Sequence, residues 1–326
     1  MKKIGLAGVG HLGKIHLKCI KELPCYEFVG IYDTDGDEAK KTAKESNLTP
    51  FPSLEALIDA VDVLDIVTPT FAHFDCAVKA LEKGKHVFIE KPITNTLQEA
   101  DTLIALAKEK GVKIQVGHVE RFNPAFLAVQ EHLQNPAFVE THRLALFNPR
   151  GCDVPVVLDL MIHDLDIILH VMQSPLKRIS AGGVAIISDT VDIVNARLEF
   201  ESGAVANLTS SRLSMKNMRK SRFFLPQAYV SVDFLEKKSE ILHIKDVETD
   251  NPFAMRIEPG NGKPNKEISF ETPTIVPNNA IREELRTLHD AIVNDTVPII
   301  SGKDGREALN LALLVMREMT QTKAKL

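Results

Sequence analysis

Four ionisable side chains recur along one stretch of this 326-residue sequence at steps of four, three and four residues: Asp159, His163, Asp166 and His170. This spacing places them on one face of an α-helix, and residues 158–172 are otherwise apolar except for Asp164. Two carboxylates and two imidazoles can orient and transfer protons, but they are costly to bury without partners. The stripe predicts either a solvated helix face or a site that faces a cleft.

A glycine-rich turn near the amino terminus is a second chemical signal. Residues 4–7 predict a buried strand, 8–13 read Gly-Val-Gly-His-Leu-Gly, and a helical pattern continues through Leu23. In this context the glycines allow a tight turn and close approach of the backbone to a pyrophosphate. Asp33 ends a second predicted strand at the separation expected for a ribose-binding acid. We therefore predict a dinucleotide site, rather than a simple connecting turn, formed by Gly8, Gly10, His11, Leu12, Gly13 and Asp33.

Asp33 also bears on the choice of dinucleotide. A carboxylate at this position accepts hydrogen bonds from ribose hydroxyls and repels a 2′-phosphate. Asp35 and Asp37 add negative charge, and no arginine follows nearby to hold that phosphate. The sequence therefore predicts NAD in preference to NADP.

Strands and helices continue to alternate after Asp33, as a doubly wound parallel sheet requires. Further strands are predicted at 63–67, 87–89 and 113–116, with Ser53 and a Thr96–Glu99 capping box at helix starts. The carboxyl ends of parallel strands line the binding crevice of such a sheet. This rule selects Thr68, Pro69, Lys91 and His118 as site residues.

The second half of the chain has a different pattern. From residue 138 onward, strands of alternating polarity are predicted, with a hairpin turn at 201–203 and one continuous strand at 223–234. A chain of this length also exceeds one ordinary core. The sequence therefore predicts an α/β protein with a Rossmann domain at 1–120 and a second domain at 121–326.

The composition excludes several classes of partner. A formal net charge of -5 gives no overall attraction to nucleic acid or to an anionic membrane surface, and no apolar run approaches the length of a membrane span. The cysteines lack CxxC spacing and a nearby histidine pattern, which predicts reduced thiols in a cytoplasmic protein without a metal site. They are Cys19, Cys25, Cys76 and Cys152.

Four motifs together resemble the Gfo/Idh/MocA oxidoreductases, the family of glucose–fructose oxidoreductase and inositol dehydrogenase. They are the glycine motif at 8–13, Thr68-Pro69 with His73, Glu90-Lys91-Pro92, and Asp159-Leu160-Met161-Ile162-His163, in the family's order. The resemblance implies cofactor contacts from His73 and Glu90 as well as from Thr68, Pro69 and Lys91. It also implies a Lys91–Pro92 bond in the cis form, with Lys91, Asp159 and His163 gathered at the nicotinamide.

The same resemblance bears on the second domain. It implies substrate binding and an open, mostly antiparallel sheet that forms the interface of a homodimer or homotetramer. Within the family, 120–124 and 159–166 are most similar to 3-dehydrogenases of UDP-N-acetylglucosamine or its uronate. This similarity implies a sugar or nucleotide-sugar substrate, contacted by His118, Arg121, Asn123, Asp159 and Lys216.

Several of these positions have an alternative interpretation. His118 could instead be a structural histidine that donates to the backbone, and Arg121 and Asn123 could shape the turn between the domains. A basic stretch also matches the nucleotide-sugar enzymes, and it predicts either diphosphate binding or a solvated face. It consists of Arg212, Lys216, Arg219, Lys220 and Arg222. The sequence departs from those enzymes at 223–228, where they carry a glycine-bearing strand pair.

The predicted reaction is hydride transfer between a carbinol carbon and the nicotinamide. His163 would accept the hydroxyl proton, because an imidazole is largely neutral near pH 7. Lys91 would polarise the alcohol oxygen, and Asp159 would orient the hydroxyl or the base. Three alternatives remain: a metal-dependent dehydrogenase using Asp159, His163 and Asp166; a non-catalytic dinucleotide-binding redox sensor; and a carbonyl or imine reductase.

Overall fold

The computed structural model describes residues 1–148, 154–247 and 255–321, and the chain divides into two compact units. The first unit comprises Met1–Phe122 and Asn279–Asn310, and the second comprises Asn123–Asn278 and Leu311–Leu326. The first boundary between the units, at Phe122 and Asn123, is close to the boundary between residues 120 and 121 that the sequence predicts. Residues 279–310 differ from that expectation, because they belong to the first unit and not to the second.

A six-stranded parallel sheet forms the centre of the first unit, in the order β3-β2-β1-β4-β5-β6. Its strands are β1 (Lys2–Ala7), β2 (Tyr26–Tyr32), β3 (Thr49–Pro50), β4 (Val63–Ile66), β5 (His86–Glu90) and β6 (Ile114–Gly117). Its first five helices are α1 (His11–Lys21), α2 (Gly36–Ser46), α3 (Leu54–Ala60), α4 (His73–Glu82) and α5 (Leu97–Lys110). The strand order reverses between β1 and β4, which confirms the predicted doubly wound Rossmann fold.

Local sequence signals account for these elements. All four residues of β4 and of β6 are buried, as expected for parallel strands covered on both faces. The Ser53 hydroxyl accepts from Ala56 N–H at the start of α3, and Thr96 and Glu99 form the predicted capping box of α5. These caps satisfy backbone donors that a helix start leaves unpaired.

The first unit also contains a helix from late in the chain. The helices that follow α5 are α6 (Pro124–Leu127), α7 (Ile162–Val171), α8 (Ala280–Val293) and α9 (Gly302–Gln321). Leu285 and Leu288 of α8 are fully buried in the core cluster that contains Ile4 and Ile20. The Tyr26 hydroxyl donates to the Leu285 carbonyl at 2.9 Å. An amphipathic pattern predicts a helix without showing which core covers its apolar face, which is why the sequence did not place α8.

In the described residues, the second unit is built on a nine-stranded sheet in the order β14-β15-β13-β12-β11-β7-β10-β9-β8. Its strands are β7 (Phe138–Leu144), β8 (Leu176–Val184), β9 (Ile193–Phe200), β10 (Val205–Ser211), β11 (Met218–Leu225), β12 (Ala228–Asp233), β13 (Lys238–Asp246), β14 (Met255–Ile257) and β15 (Lys266–Glu271). Neighbouring strands are antiparallel except β7 and β10, which confirms the predicted mostly antiparallel sheet.

One strand prediction is wrong. Residues 223–234 form parts of two antiparallel strands, β11 and β12, which are joined at Pro226 and Gln227. Pro226 has no backbone N–H to donate to a ladder, so a continuous strand through this position is disfavoured. A strand pair is therefore present here, with Pro226 and Gln227 at its turn.

The polar stripe lies on a helix with two kinds of turn. Val157–Met161 form a π-helical turn, and α7 continues from Ile162. Asp164 lies on another side of this helix and pairs with Arg143 of β7. Arg143 donates from Nε and Nη2 to the two carboxylate oxygens of Asp164 at 2.9 Å each, and both side chains are buried. This bidentate pair fixes the helix against the sheet.

Across residues 1–148, 154–247 and 255–321, none of the helices is both long enough and apolar enough to cross a membrane. Cys19, Cys25 and Cys76 are free thiols. Cys152 lies outside the described residues.

Candidate active site

The turn between β1 and α1 requires glycine at two positions. Gly8 has φ +96°, and a Cβ there would lie 2.5 Å from the Val67 carbonyl oxygen. A Cβ at Gly13 would lie 2.1 Å from the Gly8 carbonyl oxygen. At Gly10, by contrast, no described atom beyond the neighbouring residues lies within 4 Å of that position. The backbone is therefore compact on its inner side and open at Gly10, as a phosphate-binding turn requires.

The start of α1 has the features of an anion site. Gly10 is its N-cap and has no side chain with which to cap the helix, and the first turn contains no acidic residue. Gly10, His11 and Leu12 are exposed at this end. Backbone N–H groups and the helix dipole at such an end favour an anion. These residues fit the pyrophosphate of a dinucleotide.

Asp33 is bound directly to the glycine turn. One carboxylate oxygen accepts from Val9 N–H at 2.7 Å, and the other accepts from Asp35 N–H at 2.9 Å. Lys14, a cation in the first turns of α1, is paired with Glu38, and this hydrogen bond raises the pKa of Lys14. The predicted ribose-binding acid is thus held beside the glycine turn, while this nearby cation already has an anionic partner. Both features fit NAD.

His73 joins the carboxyl ends of β4 and β5. Its Nε2 lies 2.9 Å from the Thr68 carbonyl oxygen, and its Nδ1 lies 2.9 Å from the Pro92 carbonyl oxygen. Burial lowers the pKa of His73, so the ring is neutral at pH 7 and donates to one carbonyl at a time. His73 is 1% exposed, and its ring holds these strand ends together; a cofactor contact from His73 stays a prediction. The Lys91–Pro92 bond is cis, as the resemblance implies.

A buried ionic cluster that the sequence did not predict lies next to Lys91. His16 of α1 contacts Asp65 of β4 through Nδ1 at 2.9 Å, and it contacts Glu90 of β5 through Nε2 at 3.0 Å. The sequence contains one signal for it: Asp65 is a charged residue inside an otherwise apolar strand, where it needs a partner. Glu90 is 8% exposed, so its carboxylate is largely occupied by these internal contacts.

Three further predicted site residues follow β6. His118 is 1% exposed, and Arg121 is 7% exposed with its Nη2 3.9 Å from Asp304 Oδ1. The side chain of Asn123 accepts from Ala125 N–H at 3.1 Å and caps α6. The Asn123 amide also donates to the Phe234 carbonyl at 2.9 Å. The contacts of Asn123 therefore favour the structural alternative, in which it shapes the turn.

The four-residue stripe of the second unit has graded exposure. Asp159 lies in the π-helical turn and His163 at the second position of α7, and both are half-buried. Asp166 is 1% exposed, whereas His170 is exposed and its ring centroid lies 6.0 Å from that of Phe126. The stripe is therefore not a uniformly solvated face. Asp159 and His163 combine partial burial with a π-helical turn, a local distortion that is frequent at functional sites.

The basic stretch does not form one cationic surface. Arg212 is 5% exposed and donates to the Val154 carbonyl. Lys220 pairs with Asp233 at 3.1 Å, and Arg222 pairs with Glu140 at 2.9 Å. Lys216 and Arg219 are the exposed members. In the part of the chain that the structure describes, no group of three or more His, Cys, Asp or Glu side chains could hold a metal ion.

Two family models match this chain. Residues 2–118 match the oxidoreductase family GFO_IDH_MocA, described as an NAD-binding Rossmann fold, and residues 139–225 match the GFO/IDH/MocA C-terminal domain. The UDP-N-acetylglucosamine 3-dehydrogenase of Acidithiobacillus ferrooxidans is 39% identical over 242 residues, which are 74% of this chain and 77% of that enzyme. The chain belongs to the Gfo/Idh/MocA oxidoreductase family.

Further comparisons agree with this membership. A solved structure of the Acidithiobacillus ferrooxidans enzyme has a TM-score of 0.88 and 32% identity, with 98% of each chain covered. The scyllo-inositol 2-dehydrogenase (NAD(+)) of Bacillus subtilis is 29% identical over 65% of this chain and 68% of that enzyme. The predictions of family, α/β fold, NAD and an NAD-dependent dehydrogenase are thereby confirmed.

Proposed function

We propose that this Gfo/Idh/MocA enzyme oxidises the 3-hydroxyl of a UDP-linked N-acetylamino sugar, with UDP-N-acetylglucosamine as its substrate class. The observation that carries the proposal is the likeness to the UDP-N-acetylglucosamine 3-dehydrogenase: 39% identity in the aligned region and 98% coverage of the solved structure. The inositol dehydrogenase is similar at 29% identity, which favours the nucleotide sugar over a free polyol.

The reaction removes a hydride from the carbinol carbon and a proton from its hydroxyl, leaving a carbonyl. NAD, when bound, supplies the hydride acceptor. Lys91, at the carboxyl end of β5, donates a hydrogen bond to the hydroxyl oxygen and stabilises the developing negative charge. His163 takes the hydroxyl proton, and Asp159, four residues earlier, orients the imidazole or the hydroxyl.

Substrate binding is assigned to several residues. His118 follows β6 at the carboxyl edge of the parallel sheet. Arg121 lies in the helical turn that comes directly after His118, and its guanidinium provides a positive charge for the substrate. Lys216 and Arg219, the exposed members of the basic stretch, bind the diphosphate. We also propose a cytoplasmic location, and we assign a homodimer or homotetramer interface to the open face of the second sheet, where Phe224 is 38% exposed.

The proposal is tested by turnover on a substrate panel. Purified enzyme with NAD is offered UDP-N-acetylglucosamine, its uronate, free N-acetylglucosamine and myo-inositol, and NADH formation is followed by absorbance. We expect turnover with a UDP-sugar and at least about tenfold lower kcat/KM for the free sugar, because diphosphate contacts are lost. Preference for myo-inositol would contradict the substrate assignment. Tight NADH binding without any turnover would instead favour the redox-sensor alternative.

The diphosphate contacts are tested separately. Replacing Lys216 and Arg219 by Ala should raise KM for the UDP-sugar roughly tenfold while the Kd for NADH stays constant, since about one charge-assisted contact is lost per residue. The matched control is Lys220→Ala, which removes a cation of the same stretch that is already paired with Asp233. An equal effect from Lys220→Ala would show that only the general positive charge of this surface matters.

A further inference from the structure

The ionic cluster beside Lys91 is unusually well buried for three ionisable groups. His16 and Asp65 are fully buried, and Glu90 is 8% exposed. Ionised side chains are expensive to remove from water, and well-packed hydrophobic residues often stabilise a core equally well or better. Stability of the fold alone therefore does not account for this arrangement.

His16 is a cation in this cluster. Each of its ring nitrogens faces a carboxylate oxygen, and only an imidazolium has an N–H for both. Burial opposes the charge, but Asp65 and Glu90 outweigh it and hold the pKa of His16 well above its usual value. Burial also raises the pKa of Asp65, and the contact with His16 opposes that rise. The pKa of Glu90 is lowered: burial would raise it, but hydrogen bonding and attraction from His16, together with the charge of Lys91, prevail.

Glu90 connects His16 to the backbone of Lys91. One Glu90 oxygen contacts His16, and the other accepts the N–H of Lys91 at 3.2 Å. The neighbouring strand leaves space for this carboxylate, because a Cβ at Gly117 would lie 2.8 Å from Glu90 Oε1. The ring of His16 is also restrained by an edge contact with Phe88, at a centroid distance of 5.6 Å.

We propose that His16, anchored by Asp65, is a positioning residue for the dehydrogenase reaction. It fixes the Glu90 carboxylate, and Glu90 in turn fixes the peptide from which the Lys91 side chain extends toward substrate. The inference rests on the catalytic role proposed for Lys91. A displacement of about 1 Å at a reacting group can cost two orders of magnitude in rate, so a rigid strand end has a direct effect on turnover.

Two amide substitutions at His16 separate its two contacts. The amide nitrogen of Asn occupies the position of Nδ1, so His16→Asn keeps the bond to Asp65 and releases Glu90. The amide nitrogen of Gln reaches the position of Nε2, so His16→Gln keeps the bond to Glu90 and releases Asp65. Both variants remove the same charge from the same buried position; Asn is the smaller side chain and leaves more empty space, so each variant is compared on folded enzyme.

The proposal predicts that kcat separates these variants. We expect His16→Asn to lower kcat roughly tenfold or more below that of His16→Gln, with KM for substrate and Kd for NADH within about threefold of each other. Equal kcat values in the two variants, measured on folded enzyme well below both melting temperatures, would overturn it. His86→Ala serves as the control, because it removes a half-buried histidine from the opposite end of β5 and should reduce stability without reducing kcat.

Hydrogen exchange tests the same connection without any substrate. The amide of Lys91 should exchange roughly tenfold faster in His16→Asn than in His16→Gln. The reason is that Glu90, which accepts this N–H, is no longer held by residue 16 in His16→Asn. Equal exchange would overturn the positioning role, whereas faster exchange in an enzyme that oxidises no UDP-sugar would count only against the proposed function.

If neither variant folds, Asp65→Asn provides the test. It should lower kcat severalfold at unchanged KM, and an unchanged kcat would contradict the proposal.

Discussion

The two ends of strand β5 carry titratable groups in opposite arrangements. At the amino end, His86 accepts from Lys113 N–H at 3.0 Å. Burial, reinforced by Lys2 and Lys113 and opposed by Asp62, lowers the pKa of His86 to about 4, so its ring is neutral. At the carboxyl end, the imidazolium of His16 is buried between two carboxylates. One strand therefore begins at a neutral histidine and ends at an ionic cluster.

This difference agrees with the proposal that the carboxyl end of the sheet carries the chemistry, while the amino end serves the fold. The parallel ladder needs only satisfied backbone groups, and the amino end provides these with a neutral ring and with ion pairs such as Lys113–Asp295, in which Asp295 is exposed. The carboxyl end adds costly buried charge at the edge where doubly wound sheets bind ligands. Clusters of buried, oppositely charged groups are frequent at functional sites, and in this comparison only the carboxyl end of β5 carries such a cluster.

The largest expected effect tests this contrast with one substitution at each end. Lys91→Met should lower kcat by roughly 10²- to 10³-fold, because it removes a donor to the developing alkoxide, while NADH still binds. Lys113→Met makes the same change at the amino edge and should leave kcat unaltered. Steady-state NADH formation and NADH fluorescence titration provide the two measurements. Comparable losses of kcat in both variants would contradict the proposal that only the carboxyl edge of the sheet takes part in the reaction.

A smaller effect concerns the cofactor at the carboxyl edge. Asp33→Asn should shift the ratio of kcat/KM values for NAD and NADP by roughly 10- to 100-fold toward NADP, because one repulsion of the 2′-phosphate is removed. The amide oxygen can still accept from Val9 N–H in the glycine turn, while the hydrogen bond from Asp35 N–H is lost. Initial rates with both cofactors give the ratio. An unchanged ratio would mean that another group excludes NADP.

The smallest effect concerns stability at the amino edge. The folded-state pKa of His86 is about 4, below its unfolded value of about 6.5, so the unfolded chain takes up this proton first as the pH falls. His86 therefore costs stability from about pH 6.5 down to about pH 4, amounting to about 2 kcal/mol between pH 7 and pH 5. His86→Asn should reduce the pH dependence of the urea-unfolding free energy by that amount. An unchanged slope would contradict the assignment.

Much of the first unit could be predicted because its signals are local. The glycine turn, the acid at Asp33 and the capping box at Thr96 each depend on residues a few positions apart. Parallel strands also have a simple rule: their carboxyl ends meet at one edge, so Lys91 and His118 could be selected from the sequence. The structure confirms the strand order on which this selection depends.

Other parts of the site depend on partners distant in sequence. Asp65 was recognisable as a charge in an apolar strand, but its partner His16 lies 49 positions away. Asn123 has the residue type of a ligand-binding group, yet its contacts with Ala125 and Phe234 show a structural use. The amphipathic helix α8 could not be assigned to a unit, because periodicity does not identify the covering core.

The sequence by itself determined the class of fold, the dinucleotide turn, the preferred cofactor and the family, because backbone conformation and strand alternation follow from neighbouring residues. Only the tertiary structure decided that His16, Asp65 and Glu90 form one cluster, that Arg143 pairs with Asp164, and that α8 completes the first unit. The physical reason is that burial and ion pairing depend on which distant segments come together. Residue type and spacing alone do not specify that choice.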